Sequence, residues 1–129
     1  MRRRRGFTFV ELMVVMAIVV ILITMAIPMY VQNLTRSREA VLKSNLFAIR
    51  IAINRYMFEQ GKAPKTLDDL QTGGYLKGIP IDPITGDRNS WRTSPEESNA
   101  ILDQDAPGIG NVHSGSPKTA LDGTHYADW

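Results

Sequence analysis

Cysteine is absent from the 129 residues, so disulfides and thiolate zinc sites are excluded as staples and the redox compartment is left open. Charge is absent from Leu12 to Tyr30, a run of nineteen residues whose polar groups are Thr24 and the Tyr30 hydroxyl. Glycine is missing from Phe7 to Gln60, and Pro28 is the single proline there. These gaps exclude a soluble, loop-rich fold for the first half of the chain. There is also no internal repeat and no low-complexity tract. What is left for a folded head is short, and a chain of this length has room for about one domain.

The formal charge of +2 is a poor guide to partners, because four of the fifteen basic residues are Arg2, Arg3, Arg4 and Arg5, and setting them aside leaves −2. From Phe7 to Thr35 the only charge is Glu11, from Arg36 to Arg55 five basic residues stand against Glu39, and from Tyr56 to Trp129 six basic stand against eleven acidic. The distribution is a basic leader, an uncharged run, a basic neck and an acidic head. The high isoelectric point belongs to the leader, and no nucleic-acid partner is expected.

At ~1.5 Å per residue the uncharged run approaches the ~30 Å hydrocarbon core of a bilayer, which predicts a membrane helix. A secretory signal peptide also starts basic and turns apolar. Here the apolar run is longer, no A-x-A site follows it, and Glu11 lies at its start. Beyond it, Leu42, Leu46, Ile49, Ile53 and Met57 recur at steps of three and four, marking one face of a helix. Gly61 and Pro64 supply the stop. The spacing predicts one helix from near Phe7 to Gln60, on the order of 80 Å long, with a kink or local loosening at Pro28.

After Gly61 the elements are short. Thr66 and Asp69 have capping-box spacing and predict a helix over Leu67 to Thr72, ended by Gly73-Gly74. Tyr75 to Gly86, with two prolines and several turn formers, predicts an ordered loop. Trp91 to Thr93, Asn99 to Asp103 and Gly108 to His113 are strand candidates for a small antiparallel sheet.

The most informative stretch is Arg2 to Arg5, Gly6, then Phe7-Thr8-Phe9-Val10-Glu11-Leu12. It resembles the class III signal of type IV pilins and type II secretion pseudopilins. The resemblance implies an α+β, pilin-like fold and four segments: a leader over 1–6 removed by prepilin peptidase, a membrane or filament-core half-helix over 7–35, an amphipathic half over 36–61, and a periplasmic head over 62–129. It also implies cleavage after Gly6, N-methylation of Phe7, and pairing of the new Phe7 amine with Glu11 of another copy during assembly. An ionised carboxylate in a membrane helix costs roughly 2.5 to 3.5 kcal/mol, which gives that pairing its purpose. The alternative is a hydrated Glu11 at the interface. The basic leader places the N-terminus in the cytoplasm and the head outside.

Within that family, Gly74-Tyr75-Leu76-Lys77 and Ile79-Pro80-Ile81-Asp82-Pro83 are similar to the loop of the G-type major pseudopilin, and the resemblance covers residues 1–86. It implies a homopolymer that works with minor pseudopilins, an inner-membrane platform and an assembly ATPase. A type IV pilin of a surface pilus and a membrane-tethered domain that never polymerises are the rival readings. The last third departs from the pattern. Calcium is the one cofactor the resemblance raises, with Asp122 and Asp128 in the places of the family's ligands, and a simple turn at Asp122-Gly123 is the competing reading. Ser114 beside His113, with His125 and several aspartates, offers hydrolase residue types without a nucleophile elbow, so no enzymatic activity is expected. Trp91 and Trp129 are expected as packing anchors, with Trp129 docking on the sheet.

Overall fold

A computed structural model describes residues 6–96 and 107–129 of the chain. Helix α1 spans Phe9–Gln60, α2 spans Leu67–Thr72, strand β1 spans Arg92–Pro95, β2 spans Ile109–His113, and a single 3-10 turn covers Tyr126–Asp128. The architecture is α+β and pilin-like: one long N-terminal helix and a small antiparallel pair, β1 with β2. The strand expected at Asn99 to Asp103 lies outside the described residues. The first expected strand, Trp91 to Thr93, is displaced toward Pro95, because Trp91 turns into the core and its indole donates to the Pro80 carbonyl at 2.8 Å. Pro95 ends the pairing at a register shift next to Ser94, where its missing N–H costs no ladder bond.

The chain divides into two compact units, Met1–Thr35 and Arg36–Trp129. In the first, every residue from Phe9 to Leu34 is exposed, and α1 is the one described helix long and apolar enough to cross a membrane. Two threonine hydroxyls are satisfied internally: Thr24 donates to the Ile21 carbonyl at 2.7 Å and Thr35 to the Val31 carbonyl at 3.0 Å. That removes the penalty of presenting an unpaired polar group to lipid. Pro28 lies inside α1 with helical residues on both sides. Its ring removes one donor, so the Thr24 carbonyl loses its i+4 partner.

In the second unit, Leu42, Leu46, Ile49, Ala52 and Ile53 of α1 are buried on one helix face. Leu70 of α2, Trp91 just before β1, Ile109 and Val112 of β2, and Ala120 and Tyr126 of the tail close over them. Each fully buried aliphatic side chain contributes about 1.5–3 kcal/mol. Gly61 ends α1 in the left-handed region at φ +67° and donates to the Met57 carbonyl. The capping acid of α2 is Asp69, whose carboxylate accepts the main-chain N–H groups of Lys65 and Thr66 at 2.9 Å each. Gly115 packs directly on the Ser90 carbonyl, where a Cβ has no room.

Candidate functional site

The segment at the start of α1 is built on Thr8. Its carbonyl accepts the Leu12 N–H and its hydroxyl accepts the Glu11 N–H, both at 3.2 Å. Thr8 therefore caps the helix, and α1 begins at Phe9, close to the expected Phe7. The Thr8-x-x-Glu11 spacing is a capping-box signal that a reading centred on glycine and carboxylate passes over. The cap places Glu11 in the first helical turn, where the helix dipole favours negative charge. Gly6 and Phe7 precede the helix, and Phe7 is 79% exposed. Gly6 has no heavy atom within 4 Å of the position a Cβ would take, so its backbone is open to approach.

The head is fastened by three polar side chains that no local pattern announces. Asp82, fully buried, accepts the Ile84 and Thr85 N–H groups at 2.8 and 3.3 Å on one oxygen and the Ser114 hydroxyl at 2.5 Å on the other. Arg50 of α1 donates to the Asn111 side chain at 2.7 Å, to the Val112 carbonyl at 2.9 Å and to the Trp129 main-chain oxygen at 2.7 Å. Glu39, the one acid of the neck, accepts the Leu121 N–H at 2.8 Å and the Tyr126 hydroxyl at 2.9 Å. Trp129 docks on this cluster and not on the sheet alone. Its indole donates to Thr124, its ring meets Tyr126 edge-on, and Lys43 sits 4.4 Å above it.

Burial, and the bond to Glu39, push the Tyr126 phenol from 10.0 up to about 12. The folded state thus holds this proton more tightly than the unfolded chain. The resulting stability is complete below pH 10 and is lost as pH rises through about 12. Urea unfolding of the detergent-solubilised full chain is expected to show falling stability across that window, with a shallower fall in Tyr126→Phe. Parallel curves for the two proteins would refute the assignment.

Asp122 and Asp128 are both exposed. One Asp122 oxygen accepts the Thr124 N–H at 3.0 Å and the Thr124 hydroxyl at 2.6 Å, and these bonds hold its carboxyl below the usual range. With Gly123 at φ +88°, this is an Asx-type turn. Among the described residues no group of three or more His, Asp or Glu side chains is placed to hold a metal ion. Calcium takes six to eight oxygens, main-chain carbonyls and hydroxyls included, of which Asp122 and Asp128 would supply the carboxylate part. The hydrolase residue types are also kept apart. Ser114 is buried against Asp82, His113 bonds the Trp129 main-chain oxygen at 2.7 Å, and His125 faces Thr119.

A capped, wholly exposed apolar helix that continues into a head-packed half, under a small antiparallel sheet, defines a type IV pilin-like protein. Residues 1–27 match the family described as Prokaryotic N-terminal methylation motif. The chain is 31% identical over 98 residues to a type II secretion system core protein G of Pseudomonas aeruginosa, covering 64% of this chain and 69% of that protein. It is 29% identical over 103 residues to the core protein G of Klebsiella pneumoniae, covering 67% and 74%. A type IV major pilin protein of Myxococcus xanthus is 33% identical over 92 residues, which cover 71% of this chain but 38% of the pilin. No solved structure matches the chain. The chain belongs to the type II secretion system core protein G family, the G-type pseudopilins. Its apolar helix and methylation motif fit a single-pass anchor in the inner membrane.

Proposed function

We propose that this chain is the structural subunit of a type II secretion pseudopilus. Prepilin peptidase removes residues 1–6, Phe7 is N-methylated, and the subunit waits in the inner membrane with its head in the periplasm. Copies are then added at the base of a filament through the exposed apolar half of α1, and growth of that filament drives proteins toward the outer membrane. An assembly ATPase, an inner-membrane platform and minor pseudopilins supply the energy, the base and the tip. Pro28 is the point where the helix loosens as it passes from lipid into the filament.

One observation carries this reading: Gly6-Phe7 stand directly before, and Glu11 in the capped first turn of, an apolar helix whose first half has no partner within the described residues of its own chain. In water such a surface is untenable, in lipid it is an anchor, and against other copies it is a filament core. The similarity to core protein G spans more of the relative's length than the similarity to the Myxococcus pilin, and this favours the secretion filament over a surface pilus.

The test exploits the absence of cysteine. Mass spectrometry of membrane-extracted protein is expected to show a chain starting at methylated Phe7, and Gly6→Leu is expected to retain the leader. Cysteines introduced at Phe9 and Val20 together are expected to give an oxidation ladder of covalent multimers. A leader still attached in cells with active peptidase, or a cysteine variant that stays monomeric, would overturn the proposal.

A further inference from the structure

The apolar run of α1 gives way at Gln32 and Asn33, and Arg36 and Arg38 follow on the same continuous helix. Arg36 stands five positions beyond Val31, roughly 8 Å of helix at the standard rise. The polar layer of a bilayer is about 5–8 Å deep on each side of its hydrocarbon core. Side chains on a helix lean toward its N-terminus, here toward the membrane, and a long arginine stem carries its charge to the level that solvates it. An anchor built from the first half of α1 therefore delivers both guanidiniums to the depth of the lipid headgroups.

The fold makes no use of these two side chains. Both are exposed, and among the described residues the single ion pair is Arg55 with Glu59. Arg50 shows the contrast, since it spends its bonds on Asn111, Val112 and Trp129 and fastens the head. Glu39, the acid next in sequence, is turned to the tail by the Leu121 N–H and the Tyr126 hydroxyl. Even counting Glu39, the stretch from Arg36 to Ala40 keeps a positive excess. Two positions apart, the arginines lie about 200° apart around the helix axis, so each takes its own anion.

We infer that Arg36 and Arg38 bind the phosphate groups of anionic phospholipids in the leaflet on the head's side of the membrane, one headgroup to each guanidinium. The planar guanidinium meets phosphate oxygens with paired N–H donors. The contacts fix the depth at which the anchored helix rests, and a subunit leaving the bilayer gives them up. The inference rests on the inner-membrane anchor and is independent of what the subunit builds afterwards.

Ser37 lies exposed between the two arginines, and the chain has no cysteine, so Ser37→Cys carries a single bimane reporter. The full chain is reconstituted in phosphatidylcholine vesicles containing equal mole fractions of either nitroxide-labelled phosphatidylglycerol or nitroxide-labelled phosphatidylcholine. Quenching by the phosphatidylglycerol probe is expected to be roughly 3-fold the stronger at low ionic strength and to fall toward parity as salt rises. Arg36→Gln with Arg38→Gln is expected to give parity at every salt concentration, and Arg36→Lys with Arg38→Lys to keep most of the preference. Arg88→Gln with Arg92→Gln, the same loss of charge in the head, is expected to change nothing. Arg2 to Arg5 precede the apolar run and are the same in every variant. Inorganic phosphate is expected to act no more strongly than chloride at matched ionic strength. Parity with both arginines in place, a preference that survives their replacement by glutamine, or its abolition by inorganic phosphate alone would overturn the inference. Each of these outcomes leaves the filament reading standing, since that reading fails on a retained leader or a monomeric cysteine variant.

Discussion

Glu11→Ala is expected to insert into the inner membrane and lose its leader at wild-type levels while the yield of assembled filament falls on the order of 100-fold. The two halves of that result have separate causes. Alanine removes a carboxylate whose burial in a membrane helix costs roughly 2.5–3.5 kcal/mol, so insertion is at least as favourable as before. The helix start survives as well, because Thr8 caps through the main-chain N–H of residue 11, which alanine keeps. What is lost, in the filament proposed above, is the carboxylate expected to pair with the Phe7 amine of a neighbouring copy. Removing one member of a buried ion pair costs about 3–5 kcal/mol, since the other charge is left without compensation, and each 1.36 kcal/mol is about a factor of ten. Fractionation of cells into membrane and sheared-filament pools, with immunoblotting of both, measures the effect. Wild-type filament yield from Glu11→Ala would sink the pairing. Gly6→Leu gives the same empty filament pool for a different reason, and its heavier mass separates the two.

The long helix was legible in the sequence because its signals are local and repeated. Absence of glycine, a nineteen-residue uncharged run and a three-four spacing all act within one or two turns, and α2 with its Asp69 cap is legible for the same reason. The helix starts within two residues of the expected Phe7, and its exact first residue follows from Thr8, which supplies the cap. The polar fasteners of the head carry no local signal. Arg50 reaches Trp129 across 79 positions, Glu39 reaches Tyr126 across 87, and Asp82 reaches Ser114 across 32. No periodicity in one segment encodes a partner so far along the chain. Asp82 was visible only as a turn former between prolines, and Ser114 only as a hydroxyl beside a histidine. The same limit applies to the tail: Asp122-Gly123 reads as a turn from its residue types, but that the turn is closed by Thr124 on the Asp122 carboxylate is visible only in the structure.

Asp82→Ala is expected to cost the head about 3–5 kcal/mol and to lower its melting temperature by some 15–30 °C. Alanine leaves the Ile84 N–H and the Ser114 hydroxyl without acceptors in a position with 0% exposure. Each buried polar group stripped of its partner costs about 1–3 kcal/mol, and more where the lost partner was charged. A domain of this size has a total stability of about 5–15 kcal/mol, and each kcal/mol moves its midpoint by about 4–8 °C. The loop also loses its anchor to the tail, because Ser114 in turn accepts the Ser116 N–H at 3.2 Å. Asp82→Asn is expected to cost less, about 1–2 kcal/mol, since the amide oxygen still serves Ile84 while its NH₂ group forces the Ser114 hydroxyl to turn from donor to acceptor, a role it already plays toward Ser116. Near-ultraviolet circular dichroism of the detergent-solubilised full chain is the measurement, because Trp91 donates to Pro80 in the same loop and its band reports the loop directly. A melting point for Asp82→Ala within a few degrees of wild type would mean that the loop is held by its apolar neighbours alone. A large loss confined to alanine, with asparagine near wild type, places the stability of this head in hydrogen bonds across the chain and explains how so small a core stands without a single disulfide.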